Sequence, residues 1–421
     1  MQNQTTELED TMPLTAQKPM RDFWIIFTGQ AFSLLGSRLV QFSLVWWLTS
    51  TTGSAAVLAT ASIMALLPQV FVTPFAGAFI DRWDRRKVLM GVDAMNSLAI
   101  IVLMALFAAG VAQPIHVYLV MFVRALGGAF QWPAMQASTS LMVDEDKLSK
   151  VAGLNQALFG LAAIVAPPLG VMLMDLFPLQ MVLGVDVVTA AMAILPLTVI
   201  MIPRLKNSTR KSGSTVVTDL VEGFRFIRGW TGLLIIVGVA MAFNFLIVPA
   251  ISLTPLLVTG YFNGSSVQYA ILETTMGLGM VAGGVSLGVW GGFERRIVTA
   301  LLGSIGLGLG LGLVGLAPSN IFLVAVAGMA VAGLMNPIVN GSLFAIMQST
   351  VPSEMQGRVI AIVMSGTAAM APLGLAVAGP LAEVVGIRTW FILGGALIVV
   401  MGAIGFLVPA VMNIEKMSAL N

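Results

Sequence analysis

The chain has 421 residues, of which 58% are hydrophobic and only 10% are charged. No soluble domain of this length could bury so much apolar side chain in a core, so the composition predicts an integral membrane protein. There is no cysteine and only one histidine, His116, so we expect no disulfide framework, no zinc or other metal site and no cofactor.

A membrane-spanning helix needs roughly 20 apolar residues. Such runs predict an all-α fold with twelve transmembrane helices, joined by loops that leave no room for a separate soluble domain. In chain order, the predicted spans are approximately 23–49, 57–80, 88–110, 116–141, 151–175, 181–202, 231–259, 267–291, 297–317, 320–345, 358–384 and 388–413.

The lysines and arginines predict the orientation of these spans. With the N-terminus inside, all of the 21 Lys and Arg residues lie on the cytoplasmic side, except Arg388 outside and Arg38 and Arg124 within spans. Both termini are therefore expected in the cytoplasm, and the chain is expected to be a multi-pass membrane protein. The net charge of +2 reflects this topology, and we expect no nucleic-acid partner.

The loop after the second span, GAFIDRWDRRK at residues 77–87, is a dense run of charge between apolar segments. Gly77 allows close helix approach, Asp81 can accept hydrogen bonds at a helix N-terminus, and the basic run favours the cytoplasm. We predict a conformational lock in which Asp81 caps the start of the eleventh span; an ordinary cytoplasmic loop is the alternative. The residues of the predicted lock are Gly77, Asp81, Arg82, Asp84, Arg85, Arg86, Gly357 and Arg358.

The two halves of the chain look like copies of one another. Pro133 and Pro337 are 204 residues apart (337 − 133), as are Pro168 and Pro372 (372 − 168). Such a repeat predicts two bundles with a substrate site at their interface near mid-membrane. The predicted domains are an N-terminal tail 1–22, a six-helix bundle 23–202, a polar linker with an amphipathic helix 203–230, a second six-helix bundle 231–413 and a tail 414–421.

Four ionisable residues lie inside the predicted spans, where burying charge costs about 2.5–3.5 kcal/mol. Arg38, Arg124 and Asp186 belong to the first bundle and can compensate one another. The second bundle offers Glu273 no basic residue at a similar depth, so Glu273 is the first candidate for a proton-coupling site and Asp186 is the second. Alternatively, each acid is structural, with Glu273 bonded to a hydroxyl such as that of Thr274.

Other polar and aromatic side chains supply candidates for substrate contact, because cavities that bind small molecules combine apolar walls with a few polar groups. Packing and helix–helix hydrogen bonding are the alternative for each of them. For Asp93, near the inner end of the third span, we expect an ion pair with Arg85 or Arg86. The candidate cavity residues are Gln41, Asn244, Asn336, Asn340, Phe32, Phe42, Phe243 and Phe245.

The order Gly-x-x-x-Asp-Arg-x-x-Arg-Arg-Lys in the charged loop resembles the cytoplasmic loop between helices 2 and 3 of the major facilitator superfamily. This resemblance implies two pseudo-symmetric six-helix bundles, with the first, fourth, seventh and tenth spans lining the cavity. Arg124-x-x-x-Gly128 resembles the superfamily's arginine motif, which is linked to proton transfer in drug exporters. Pro167-x-x-Gly170 resembles its antiporter motif, and the predicted helix kinks are at Pro167, Gly170, Pro372 and Gly374.

Further segments resemble the macrolide-efflux family of bacterial exporters. They are Gly29-Gln30-Ala31-x-Ser33-Leu34, Thr52-Gly53-Ser54, Asp81-Arg82-x-Asp84-Arg85, Ile202-Pro203-x-Leu205, Tyr261-Phe262-Asn263-Gly264, Gly357-Arg358-Val359 and Trp390-Phe391. The family implies proton-driven export of amphipathic small-molecule drugs from the cytoplasm, with acids that match Asp186 and Glu273. It also implies a multi-pass protein of the bacterial inner membrane. Arg38 departs from the family pattern.

The sequence contains no Gly-x-x-x-x-Gly-Lys-[Ser/Thr] phosphate loop, so the energy for transport is expected from a gradient. We therefore predict a secondary active exporter, not an enzyme, which acts as a monomer with a drug, protons and the lipid bilayer as its partners. Two alternatives remain: a lipid or metabolite translocator on the same fold, and a membrane receptor or scaffold that does not transport.

Overall fold

The computed structural model describes residues 20–80, 83–202 and 216–417. Within these ranges every regular element is helical, and twelve helices are long and apolar enough to cross a membrane. The predicted all-α fold class is confirmed. The twelve long helices are α1 (Met20–Thr52), α2 (Ala55–Ile80), α3 (Arg85–Ala108), α4 (Pro114–Met142), α5 (Leu148–Leu176), α6 (Leu179–Val199), α8 (Thr231–Ser252), α10 (Ser266–Trp290), α11 (Arg296–Leu316), α12 (Phe322–Thr350), α13 (Ser353–Val385) and α14 (Ile387–Leu407).

Four shorter α-helices complete the described chain: α7 (Val216–Gly229), α9 (Thr254–Gly260), α15 (Pro409–Met412) and α16 (Ile414–Met417). Two predicted spans are wrong in length because a proline stops each helix. The seventh ends at Ser252, and α9 restarts with Pro255 in its first turn. The twelfth ends at Leu407, since Pro409 offers no N–H to continue the helix.

The long helices form two bundles with matching internal contacts. In the first bundle, α1–α6, α2 packs on α4, α3 on α4 and α1 on α5. In the second bundle, α8 and α10–α14, the equivalent pairs are α10 with α12, α11 with α12, and α8 with α13. The bundles meet where α2 packs on α13 and where α5 packs on α10.

Glycines bring helices of the second bundle into backbone contact. A Cβ added at Gly310 of α11 would lie 2.6 Å from the backbone nitrogen of Ala332 in α12. A Cβ at Gly308 would lie 2.6 Å from the carbonyl oxygen of Gly395 in α14. Lipid gives no hydrophobic drive for helices to associate, so close packing of small residues is a main source of their attraction.

The repeat is also visible in a pair of glycine contacts. A Cβ at Gly170 of α5 would lie 2.7 Å from the Phe42 ring of α1, and one at Gly374 of α13 would lie 2.3 Å from the carbonyl oxygen of Phe245 in α8. The glycines are 204 residues apart (374 − 170), which is the offset of the repeated prolines. Pro167 and Pro372 lie inside continuous helices, so the predicted kinks remain predictions.

Candidate substrate cavity and coupling site

A cavity of about 540 Å³ lies in the first bundle, lined by side chains from α1 to α5. Its wall is rich in amides and hydroxyls and contains two arginines, Arg38 and Arg124. Its volume is in the usual range of ligand pockets, about 300–1,000 Å³. The uncharged polar residues of the wall are Gln30, Ser33, Ser37, Gln41, Gln69, Asn96, Gln131 and Asn155.

Three aromatic residues of the cavity wall, Phe27, Trp132 and Phe159, were missed by the sequence analysis. Trp132 of α4 and Phe159 of α5 both line the cavity, with their rings edge to face and their centroids 5.3 Å apart. Trp132 is four residues after Gly128 on the helix that carries Arg124, a spacing that places them on one helix face. Counting in steps of four residues from Arg124 could therefore have identified Trp132 as a cavity residue.

Of the predicted substrate contacts, Gln41 lines this cavity and the other seven do not. Phe42 is buried and stacks on Tyr269 with ring centroids 4.9 Å apart, and Phe243 is buried in the core. Phe32 is exposed, and the Phe245 ring centroid is 6.2 Å from that of Trp390.

The three predicted asparagines bond within their own helices. Asn244 donates to the carbonyl oxygen of Ala240, and Asn340 donates to the backbone and side-chain oxygens of Asn336 at 3.0 and 3.2 Å. A role of these three residues in binding substrate stays a prediction.

Arg124 and Asp186 form a buried ion pair between α4 and α6. The guanidinium donates two hydrogen bonds to the carboxylate, and the Ser37 hydroxyl of α1 donates a third to Asp186 Oδ1 at 2.8 Å. The two side chains are 11% and 3% exposed. This pair therefore neutralises two of the predicted coupling residues within the first bundle.

Arg38 and Glu273 come from different bundles and attract each other electrostatically. Arg38 of α1 is solvent accessible in the cavity, and Glu273 of α10 is half-buried. They do not form a direct ion pair, so the attraction acts across a gap. The second bundle was expected to offer Glu273 no basic residue at its depth; the basic residue that interacts with it, Arg38, comes from the first bundle. The Thr274 hydroxyl donates to the Ile164 carbonyl oxygen at 3.2 Å instead of to Glu273.

Asp93 of α3 does not pair with Arg85 or Arg86, so that expectation is wrong. Its carboxylate is buried and accepts hydrogen bonds from Gln30 Nε2 of α1 and Gln131 Nε2 of α4, each at 2.9 Å. It is eight residues, about 12 Å, into α3, whereas the two arginines stay at the helix start and point to other partners.

Two arginines in the described part of the charged loop bind the ends of other helices in the first bundle. Arg85 donates to the carbonyl oxygen of Ala137 near the end of α4 at 3.0 Å. Arg86 donates to the carbonyl oxygens of Leu197 and Thr198 at the end of α6. Arginine is favourable there because it caps free carbonyls and complements the helix dipole. We call this end of the bundles the basic end.

Other members of the predicted lock lie around these arginines. Asp84 caps α3 by accepting from the Arg86 amide at 3.1 Å. Gly77 lies in the last turn of α2, and Gly357 is exposed near the start of α13. Asp81 and Arg82 are outside the described residues, so their contact with α13 stays a prediction.

Comparison with known proteins identifies the family. The sequence matches the family described as transmembrane secretion effector, of the major facilitator superfamily, over residues 13–421. This chain belongs to that family. It is 32% identical to Macrolide efflux protein A of Streptococcus pyogenes over 396 residues, which cover 94% of this chain and 97% of that protein. The predicted macrolide-efflux branch is therefore confirmed.

More distant relatives agree with this placement. The Multidrug efflux pump Tap of Mycolicibacterium fortuitum is 24% identical, over 91% of this chain and 94% of Tap. A crystal structure of the nucleoside transporter NupG has the same fold, with a TM-score of 0.70 at 15% identity, covering 90% of this chain and 98% of NupG. The family member described here is thus a multi-pass protein of the bacterial inner membrane, as predicted.

In this family member the linker helix α7 is attached to the second bundle. Arg358 of α13, a predicted lock residue, forms an ion pair with Glu222 of α7 at 2.5 Å. Next to it, a Cβ on Gly223 would lie 2.6 Å from Ile362 Cδ1 and 3.2 Å from Arg358 Cβ, so α7 lies directly on α13. The amphipathic pattern predicted the helix but not its partner.

A second contact missed by the sequence analysis joins the bundles at the end opposite the basic end. Glu383, near the end of α13, accepts hydrogen bonds from the Ser54 hydroxyl at 2.6 Å and the Ala56 amide at 3.1 Å. Both donors are at the start of α2, where free amides favour a carboxylate. One turn earlier, a Cβ at Gly379 would lie 2.7 Å from Ala59 Cβ, so the two helices touch.

Proposed function

We propose that this chain exports amphipathic drugs, macrolides among them, in exchange for protons by alternating access. The names of its relatives support the substrate class. The observation that carries the coupling is the attraction between Arg38 and Glu273, because these opposite charges belong to different bundles and Arg38 lines the cavity.

The protonation state of Glu273 changes the attraction between the bundles. Ionised Glu273 attracts Arg38 and so favours the approach of α10 to α1. A proton on Glu273 removes the attraction, which is stronger inside the membrane than it would be in water. Protonation therefore favours a different arrangement of the bundles, which is the linkage that an antiporter requires.

The cavity wall suits an amphipathic substrate that carries many oxygen atoms. The side-chain amides of Gln41, Gln69 and Asn155 can donate to hydroxyl, carbonyl and ether oxygens, while Trp132 and Phe159 offer apolar faces. With Arg38 and Arg124 balanced by Glu273 and Asp186, the cavity can also accept a drug that carries an amine.

The contacts between bundles suggest which state of the cycle this is. Glu383 and Gly379 hold α13 to α2 at the end opposite the basic end. If the basic end is cytoplasmic, as the positive charges predict, this contact closes the outside and the cavity takes drug from the cytoplasm. The lock between Asp81 and the start of α13 would then form in the outward-facing state.

The test is drug uptake into inside-out vesicles under an imposed pH gradient, with a fluorescent cationic dye and, separately, a labelled macrolide. We expect gradient-driven uptake by the wild type and a loss of at least tenfold in Glu273→Gln. Asp175→Asn is the matched control, because Asp175 is an exposed acid at the end of α5, and it should transport normally.

Each failure has a distinct meaning. Uptake that needs no pH gradient, or that survives in Glu273→Gln, contradicts proton coupling at Glu273. No uptake of either compound favours a lipid or metabolite translocator, and drug binding without uptake favours a receptor.

A further inference from the structure

Charge balance inside the membrane leaves one acid without a cation. Within the described spans and away from the helix ends, the charged residues are Arg38, Asp93, Arg124, Asp186 and Glu273. Arg124 pairs with Asp186, and Arg38 interacts electrostatically with Glu273. Asp93 has no described cation within ion-pair distance. If all five were ionised, the extra negative charge would be that of Asp93.

The surroundings of Asp93 are polar and uncharged at close range. Its side chain is 2% exposed, and its two amide donors, Gln30 and Gln131, are themselves joined by a hydrogen bond of 3.0 Å. Both glutamines line the cavity. The carboxylate is therefore fully buried, but the two side chains that bond to it form part of the cavity wall. Water, protons and substrate reach this wall from the cavity.

We propose that Asp93 is a second proton-binding site, which exchanges its proton with the cavity past Gln30 and Gln131. A buried carboxylate without a cation is costly, and protonation removes that cost. The step is a simple transfer, in which a hydronium ion in the cavity gives a proton to Asp93: the carboxylate becomes a carboxylic acid and the hydronium ion becomes water. This inference rests on the proposed proton coupling, because it adds a site to the same cycle.

A protonated Asp93 would need a hydrogen-bond acceptor, and α3 carries a buried acceptor without a partner one turn away. Asn96 follows three residues later, on the same helix face, and its buried Oδ1 has no hydrogen-bond partner. The Asn96 Oδ1 lies at the contact between α3 and α4. Gly127 of α4 has no side chain there, and a Cβ added to it would lie 2.9 Å from this oxygen. An unpaired buried acceptor is unusual, and the acid proton of Asp93 would satisfy it.

The charges on the elements packed around Asp93 favour its neutral form. From α6, the Asp186 carboxylate repels it electrostatically. From α4, Arg124 is two helical turns, about 10 Å, from Gln131 and is held by Asp186. On α3 itself, Arg85 and Arg86 are bound to backbone carbonyls. From α1, the neighbours Gln30 and Ser33 are neutral, and Arg38 is two turns beyond Gln30.

The two proton sites would then divide between the bundles. Asp93 lies in the first bundle beside the cavity wall, and Glu273 lies in the second bundle and interacts electrostatically with Arg38. A substrate that disturbs Gln30 or Gln131 would alter the donors of the Asp93 carboxylate and so change its proton occupancy. Substrate binding in the cavity of the first bundle would thereby be coupled to proton binding at Asp93, although no cation lies beside this acid.

The test uses the full-length protein in lipid vesicles, without drug, and measures infrared difference spectra between acidic and alkaline buffer in the protonated-carboxyl region. We expect the wild type to show a component that is absent from Asp93→Asn and a second component that is absent from Glu273→Gln. An Asp93→Asn spectrum identical to that of the wild type would overturn the proposal.

A second variant keeps Asp93 and changes its surroundings. In Gln131→Leu the carboxylate loses one donor to its charged form, so the midpoint of its infrared component should move to higher pH. Gln69→Leu is the matched control, because Gln69 lines the same cavity but does not bond to Asp93, and its midpoint should not move. Equal midpoints in the two variants would overturn the proposal even if Asp93→Asn fails to fold.

The spectra also separate this inference from the proposed function. If the Asp93 component is present and the Glu273 component is absent, Asp93 binds a proton and coupling at Glu273 is contradicted. If only the Glu273 component is present, the proposed function stands and the second site is rejected.

Discussion

At the scale of single residues, depth in the membrane was a poor guide to partners. Asp93 was assigned to the nearest arginines along its helix, yet it bonds to Gln30 and Gln131. Arg38 was grouped with the acid of its own bundle, yet it interacts electrostatically with Glu273 of the other bundle. Helix rise fixes depth, but the partner depends on how each helix is rotated, and neighbouring helices determine that rotation.

The buried pair Arg124 with Asp186 supports a prediction about stability. In Asp186→Asn the guanidinium stays buried without its counter-charge, so we expect a loss of about 3 kcal/mol of stability. Thermal unfolding in detergent should show a clear fall in midpoint. In the double variant Asp186→Leu with Arg124→Met most of this loss should be recovered, because no unpaired charge remains.

The exposed pair Lys147 with Asp144 is the matched control. Its two atoms are 2.9 Å apart, but the side chains are 47% and 40% exposed. Water and salt weaken such pairs, so Asp144→Asn should change stability much less than Asp186→Asn does. An equal fall in the two single variants would contradict the view that burial makes the Arg124 pair important.

At the scale of elements, close helix approach depends on particular glycines. In α11, Gly308 and Gly310 meet backbone atoms of neighbouring helices, while Gly312 has nothing within 4 Å of an added Cβ. The sequence indicated close packing in this stretch but could not distinguish these positions, because the distinction depends on which face meets α12 and α14.

This difference predicts opposite results for two small substitutions. In Gly310→Ala the methyl group would overlap the backbone of Ala332, so α11 and α12 must separate, at a cost of about 1–3 kcal/mol. Gly312→Ala should be neutral or slightly stabilising, because alanine favours the helix over glycine. Detergent melting curves and the yield of folded protein would compare the two variants, and a similar loss in both would contradict the assigned contact.

The linker helix gives a second prediction at this scale. In Gly223→Leu the side chain would overlap Ile362 and Arg358, so α7 should detach from α13 and the linker should be cleaved several times faster by protease. Gly229→Leu is the control, since an added Cβ there has nothing within 4 Å. If the cleavage rates of both variants match the wild type, α7 does not depend on this contact.

At the scale of the whole molecule, the contact of Glu383 with the start of α2 joins two parts of the chain that are 329 residues apart. In Glu383→Ala two hydrogen bonds between the bundles are lost, so states that are open at that end should become more populated. The chain has no cysteine, which allows a single reporter cysteine to be placed at Gln41 in the cavity.

Labelling of this cysteine by a membrane-impermeant reagent, from the side opposite the basic end, should be severalfold faster in the Glu383→Ala background. Glu294→Ala is the control, because Glu294 is an exposed acid at the basic end, and it should leave the labelling rate unchanged. Unchanged labelling in Glu383→Ala would mean that the contact does not hold this end closed.

The sequence by itself determined the membrane character, the twelve spans, the repeat and the family. These properties follow from local composition, from recurrence at a constant offset and from motifs, all of which are read along the chain. The tertiary structure alone decided that Arg124 pairs with Asp186, that Arg38 interacts electrostatically with Glu273, which residues line the cavity, and that Glu383 joins the bundles. Each of these contacts requires the rotation of several helices about their axes, and that rotation is set by packing between residues that are far apart in sequence.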